Sequence, residues 1–110
     1  MTVIAARRYC NGAVAEPNLV VDGNPPPALP AGAFDWIGLC EPAAAEMALV
    51  QQQYALHPLA VEDAHNAHQR PKVEAYGDTL FMAVHTAQMV DGQIRYGETH
   101  AFLGPRFLLT

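Results

Sequence analysis

Two adjacent carboxylates, Glu62 and Asp63, are the side chains of this 110-residue chain whose types and spacing best suit a cation. On a helix, neighbouring residues diverge by about 100°, so the pair cannot close on one ion as a compact claw. Each carboxylate can instead meet a ligand on a different neighbouring surface. Asn66 follows Glu62 by four residues and Asp63 by three, so its amide oxygen could join the set or its side chain could close the helix end. Oxygen donors of this kind suit hard cations. Magnesium keeps several of its waters and needs only one or two direct carboxylates. By composition alone the plainer reading, a solvated acidic helix face, carries more weight.

His65 and His68 are three residues apart and would share a helix side if the helix extended that far. Such an imidazole pair suits zinc, nickel or cobalt, yet two ligands make an incomplete site, and a packing or hydrogen-bonding role for His68 stands ahead of ligation. His57, just before Pro58, is placed to cap a helix. His85 and His100 fall on expected strands without visible partners. In Gln69-Arg70-Pro71-Lys72 the two basic side chains are expected to bridge to acidic neighbours such as Glu74 rather than to hold an anion. No glycine-rich phosphate loop is present, and Cys10 and Cys40 lie in no CxxC pair and beside no nucleophile signature. The chain is therefore expected not to be an enzyme.

The elements that must carry these residues can be read from turn and helix signals. Val3 to Glu16 is strand-like around Asn11-Gly12, a pair suited to a tight hairpin. Residues 17–33 hold five prolines and two glycines and read as an extended connector. Phe34 to Leu39 reads as a buried strand. Glu41-Pro42 is expected to open a helix with Met47, Val50 and Tyr54 facing inward and Gln51, Gln52 and Gln53 mostly outward. A second helix is predicted from Pro58 to about Asn66, and Pro71 ends helical geometry. Gly77-Asp78, Asp91-Gly92 and Gly104-Pro105 then punctuate an antiparallel meander. The result is an α+β fold, a mostly antiparallel or mixed sheet with helices packed on it. Its expected core is Trp36, Ile37, Met47, Val50, Leu80, Phe81, Val84, Phe102 and Phe107. The strand-like end at Arg106 to Thr110 suggests a domain incomplete at its C-terminus.

Composition narrows the partners. A 51% hydrophobic chain with 15% charged residues can build one core, so residues 1–110 are read as one domain. A net charge of −5 with six Lys and Arg argues against nucleic acid and for cations. No apolar run approaches the ~20 residues that span a bilayer, so the chain by itself is expected to be soluble.

The run His57-Pro58-Leu59, Glu62-Asp63, Gln69-Arg70-Pro71-Lys72-Val73-Glu74 resembles the cytoplasmic domain of the CorA family of magnesium and cobalt channels. The resemblance extends upstream through Asp35-Trp36-Ile37 and Glu41-Pro42. Downstream it continues through Tyr76 to Phe81 and Gly97-Glu98-Thr99-His100, covering roughly Phe34 to Thr110. It implies that Glu62 and Asp63 serve regulatory Mg2+ sites shared between neighbouring subunits, with bound ion holding a channel closed. It also implies a homopentamer at the cytoplasmic face of the inner membrane, anchored through a stalk helix and two C-terminal membrane helices with a Gly-Met-Asn signature, none of which this sequence contains. His65 departs from the aliphatic residue common in the family, which leaves open either a local change in metal preference, toward Co2+, Ni2+ or Zn2+ in place of Mg2+, or simply a more exposed helix. The rival expectation is a free-standing soluble module that uses the histidines for a transition metal.

Overall fold

The computed structural model describes residues 3–66 and 69–110. In chain order its elements are β1 (Val3–Cys10), β2 (Ala13–Glu16), β3 (Ala33–Leu39), α1 (Ala44–Tyr54), α2 (Pro58–His65), β4 (Lys72–Tyr76), β5 (Thr79–Val90), β6 (Gln93–Leu103) and β7 (Phe107–Leu109). The strands join one sheet in the order β2-β1-β3-β7-β6-β5-β4. Every neighbouring pair is antiparallel except β3 and β7, which run parallel at its centre. The α+β class expected from the sequence is therefore the one observed.

The turns obey their local chemistry. Asn11 and Gly12 (φ 50° and 81°) link β1 to β2, and Asp91 and Gly92 (φ 50° and 75°) link β5 to β6. Two successive positive-φ residues match the right-handed twist of the flanking strands, and Asn, Asp and Gly tolerate that region. Helix α1 begins two residues beyond the expected Pro42: Glu41 adopts a left-handed φ of 46°, and Ala43 is the cap. The carboxylate near the positive helix end is consequently Glu46, which accepts from the Ala43 N–H at 3.2 Å. Helix α2 starts as expected, with His57 Nδ1 accepting from the Leu59 N–H at 3.1 Å and Pro58 in its first turn.

One core lies between the helices and one sheet face. Met47, Val50 and Tyr54 of α1 and Ala60 and Val61 of α2 close over Ile37, Phe81, Ala83, Phe102 and Leu109. Strand register places those sheet residues on a single face, since Ile37 pairs with Leu109, Leu109 with Phe102 and Phe102 with Phe81. Four expected core residues need correction. Leu80 and Val84 point to the opposite face and are exposed, Trp36 on that face is half-buried, and Phe107 only flanks the core. Side chains alternate across a strand, so Leu80 and Phe81 cannot share a face, and no described helix covers the second one.

Gln53 is the other correction. It is buried, with 6% exposure, and its side chain accepts from the Asp22 and Gly23 N–H groups at 3.1 and 3.2 Å while donating to the Val20 carbonyl at 3.2 Å. These bonds, with Leu19 N–H donating to the Ala6 carbonyl at 2.8 Å, fasten the proline-rich segment along α1 and β1.

Candidate functional site

Helix α2 and strand β4 meet at Asp63. Glu62 is exposed, whereas Asp63 is turned inward toward the strand and half-buried. The ammonium of Lys72, the first residue of β4, donates to Asp63 Oδ2 at 2.8 Å and to Glu74 Oε1 at 3.0 Å. It also stands 5.8 Å from the centroid of the Phe81 ring, within reach of a cation–π attraction. Glu74 is itself oriented by the Tyr76 hydroxyl, which donates to Oε2 at 2.6 Å. The backbone carbonyl of Asp63 accepts from Gln69 Nε2 at 2.7 Å and from the Asn66 N–H at 3.1 Å. Those two bonds fix the helix end and leave the carboxylate to its lysine.

The electrostatics follow from these contacts. Hydrogen bonds to Asp63 and then Glu74 hold the Lys72 ammonium above its ordinary 10.5. The Tyr76 hydroxyl, followed by Lys72, lowers the Glu74 carboxyl below 4.5, and the same contact raises the Tyr76 hydroxyl. The sequence anticipated the Lys72–Glu74 bridge. It gave no sign of Asp63, nine residues away across a bend.

The other candidate residues scatter. Asn66 occupies the C-cap position of α2 and is exposed. His65 is exposed and lines a cavity of about 450 Å3 whose wall also includes Glu41, Glu98, His100 and Met47, away from Glu62 and Asp63. His68 lies outside the described residues. Among the described residues no three of His, Cys, Asp and Glu converge as a metal-binding group. Glu62 and Asp63 supply two carboxylates, an oxygen donor type that suits hard cations.

Two polar clusters were missed from sequence. Asp35, with 1% exposure, accepts from Arg8 Nε at 2.7 Å, Arg8 Nη2 at 3.2 Å and the Tyr54 hydroxyl at 3.1 Å. Burial, then the charge of Asp35, pushes the Tyr54 hydroxyl far upward. The strand alternation that puts Ile37 inside also puts Asp35 inside, and that parity was the available signal. In the second cluster, Glu98 Oε2 meets His100 Nε2 at 2.7 Å, while Glu98 Oε1 lies 3.6 Å from His85 Nε2. His85 Nε2 also lies 2.9 Å from the Gln69 carbonyl. Burial works to raise the Glu98 carboxyl, but the His100 hydrogen bond and the nearby positive charge bring it below 4.5.

Comparison with known proteins agrees with this architecture. A family model described as CorA-like Mg2+ transporter protein matches residues 31–110. YfjQ of Bacillus subtilis (strain 168), a protein named for metal ion transport, is 31% identical over 78 residues, 71% of this chain and 24% of its own length. The complete structure of the CorA magnesium transporter from Methanocaldococcus jannaschii superposes with a TM-score of 0.71 at 14% identity, covering 100% of this chain and 32% of that one. The full-length CmaX protein gives 0.71 at 14% identity over 98% of this chain and 34% of its own. The soluble domain of the Methanocaldococcus CorA gives 0.65 at 18% identity, covering 100% and 41%. At such identities the structural likeness speaks to the fold alone. The chain spans about a quarter of the curated relative and between a third and two fifths of the solved ones.

Proposed function

The chain belongs to the CorA-like Mg2+ transporter family, and from that premise we propose that it is the cytoplasmic, cation-sensing part of a divalent-cation channel, with Glu62 and Asp63 as its sensing carboxylates. The observation that carries this reading is the placement of Asp63, a half-buried carboxylate at the edge of the fold whose charged partner among the described residues is Lys72. A second carboxylate, Glu62, projects from the same helix into solvent, where it can meet another surface. Two such groups offer direct bonds and water-mediated bonds to Mg2+, and the remaining ligands come from a neighbouring subunit of a homopentamer. Occupied sites offset carboxylate repulsion between subunits and favour the closed arrangement; empty sites release it. Co2+ shares the site through its similar charge and tolerance of oxygen ligands.

The test is Asp63→Asn, alone and with Glu62→Gln, in the intact transporter reconstituted into vesicles. Cation flux is followed against magnesium on the cytoplasmic side, together with protease protection of this domain. The expected result is a flux curve that depends less steeply on magnesium, because the charge that the ion offsets is gone while side-chain size is kept. An unchanged midpoint in both readouts removes Glu62 and Asp63 from the sensing role.

A further inference from the structure

We propose that Lys72 is a tethered counter-ion for Asp63, a resident cation that a divalent ion must displace, and that it thereby sets the threshold of the site and its discrimination against monovalent ions. The inference rests on the sensing role assigned to Asp63 above and adds a competitor to it. The ammonium bridges two elements, with Asp63 on α2 at 2.8 Å and Glu74 on β4 at 3.0 Å. It has a second holder already in place, so losing Asp63 does not send it into solvent alone. Glu74 is fixed by the Tyr76 hydroxyl at 2.6 Å, and the Phe81 ring supports the lysine at 5.8 Å. Lys72 and Asp63 are each about a quarter exposed (26% and 27%), so an ion arriving from water reaches the carboxylate by the open side.

The competition has a definite sign. A sodium or potassium ion brings the same single charge as the ammonium, but the lysine is attached to the next strand and is present at high effective concentration. Monovalent ions therefore lose. A divalent ion brings twice the charge to a locus of two carboxylates (Asp63 and Glu74) and one ammonium, and can prevail. Removing the ammonium strengthens the field that any cation meets and takes away the advantage over monovalent ions. Because the pair is partly exposed, the change is modest, about two- to fivefold in apparent affinity.

The experiment uses the 15N-labelled chain and Mn2+ as a paramagnetic probe of the divalent site, reading the broadening of amide signals near Asp63 against Mn2+ concentration. Wild type, Lys72→Met, Lys72→Gln, Asp63→Asn and the Lys72→Met/Asp63→Asn double variant are compared with and without added potassium chloride. Both lysine variants keep a long side chain over Phe81, and near-wild-type melting in either suffices for the comparison. The expected result is a two- to fivefold lower Mn2+ midpoint when Lys72 is replaced, a larger rightward shift by potassium than in wild type, and loss of the local broadening whenever Asp63 is replaced. An unchanged midpoint in the lysine variants, with Asp63→Asn still abolishing the broadening, overturns the role of Lys72 and leaves the site standing. Broadening that persists in Asp63→Asn overturns the site itself, and the competitor with it.

Discussion

Asp35 shows what one residue does to this fold. Its carboxylate is buried and takes three hydrogen bonds, two from a guanidinium that is 22% exposed and one from a phenol. Arg8→Ala leaves that charge inside without its partner and is expected to cost about 3 kcal/mol in urea unfolding, the partial exposure of the arginine holding the loss below that of a wholly buried pair. Tyr54→Phe removes one neutral donor and should cost about 1–2 kcal/mol. Glu98 governs the acid side. Its folded value lies below its ordinary 4.5, so the stability it contributes is fully present above that pH and disappears as pH falls through the folded value. Glu74 has the same sign. The melting temperature should therefore decline below pH 4.5, and Glu98→Gln should flatten the decline; an identical acid limb in the variant would show that the His100 contact adds no pH-dependent stability.

At the scale of elements, the glutamine run of α1 separates two roles that its composition hides. Gln52 is exposed, whereas Gln53 holds three backbone groups of residues 20–23. Gln53→Ala is expected to cost about 1–3 kcal/mol and to speed amide exchange at Asp22 and Gly23, because buried N–H groups lose their acceptor. Gln52→Ala should stay within about 0.5 kcal/mol. In β5, Phe81→Ala should cost about 3–5 kcal/mol, since the ring is 0% exposed under both helices. Its neighbour Leu80 is 37% exposed and should cost clearly less. Comparable losses at the two positions would mean that both faces of the sheet are sealed in solution. The turn pairs Asn11-Gly12 and Asp91-Gly92, the His57-Pro58 helix start and the order of strands and helices were all legible, because each depends on the backbone preferences of a few consecutive residues. The start of α1 was misread by two residues because Glu41 takes a left-handed φ of 46° that its side chain does not advertise.

At the scale of the whole molecule, the cavity that His65 lines does not include Glu62 or Asp63 among its described lining residues. Isothermal titration of the isolated chain with magnesium is accordingly expected to show no tight site, whereas micromolar affinity would contradict a site completed by a neighbouring subunit. The sequence by itself determined the element order, the hairpin turns, the α+β class and the acidic pair on α2, all of which follow from local dihedral preference and hydrophobic pattern. Only the tertiary structure decided which strand face is covered, that β3 lies parallel to β7, that Arg8 meets Asp35 across 27 positions, and that Trp36 donates to Thr110 across 74. It alone also placed Lys72 between Asp63 and Glu74. These contacts depend on how separate elements pack, and the identity of an amino acid states what bond it can make but not which distant partner the fold will bring to it.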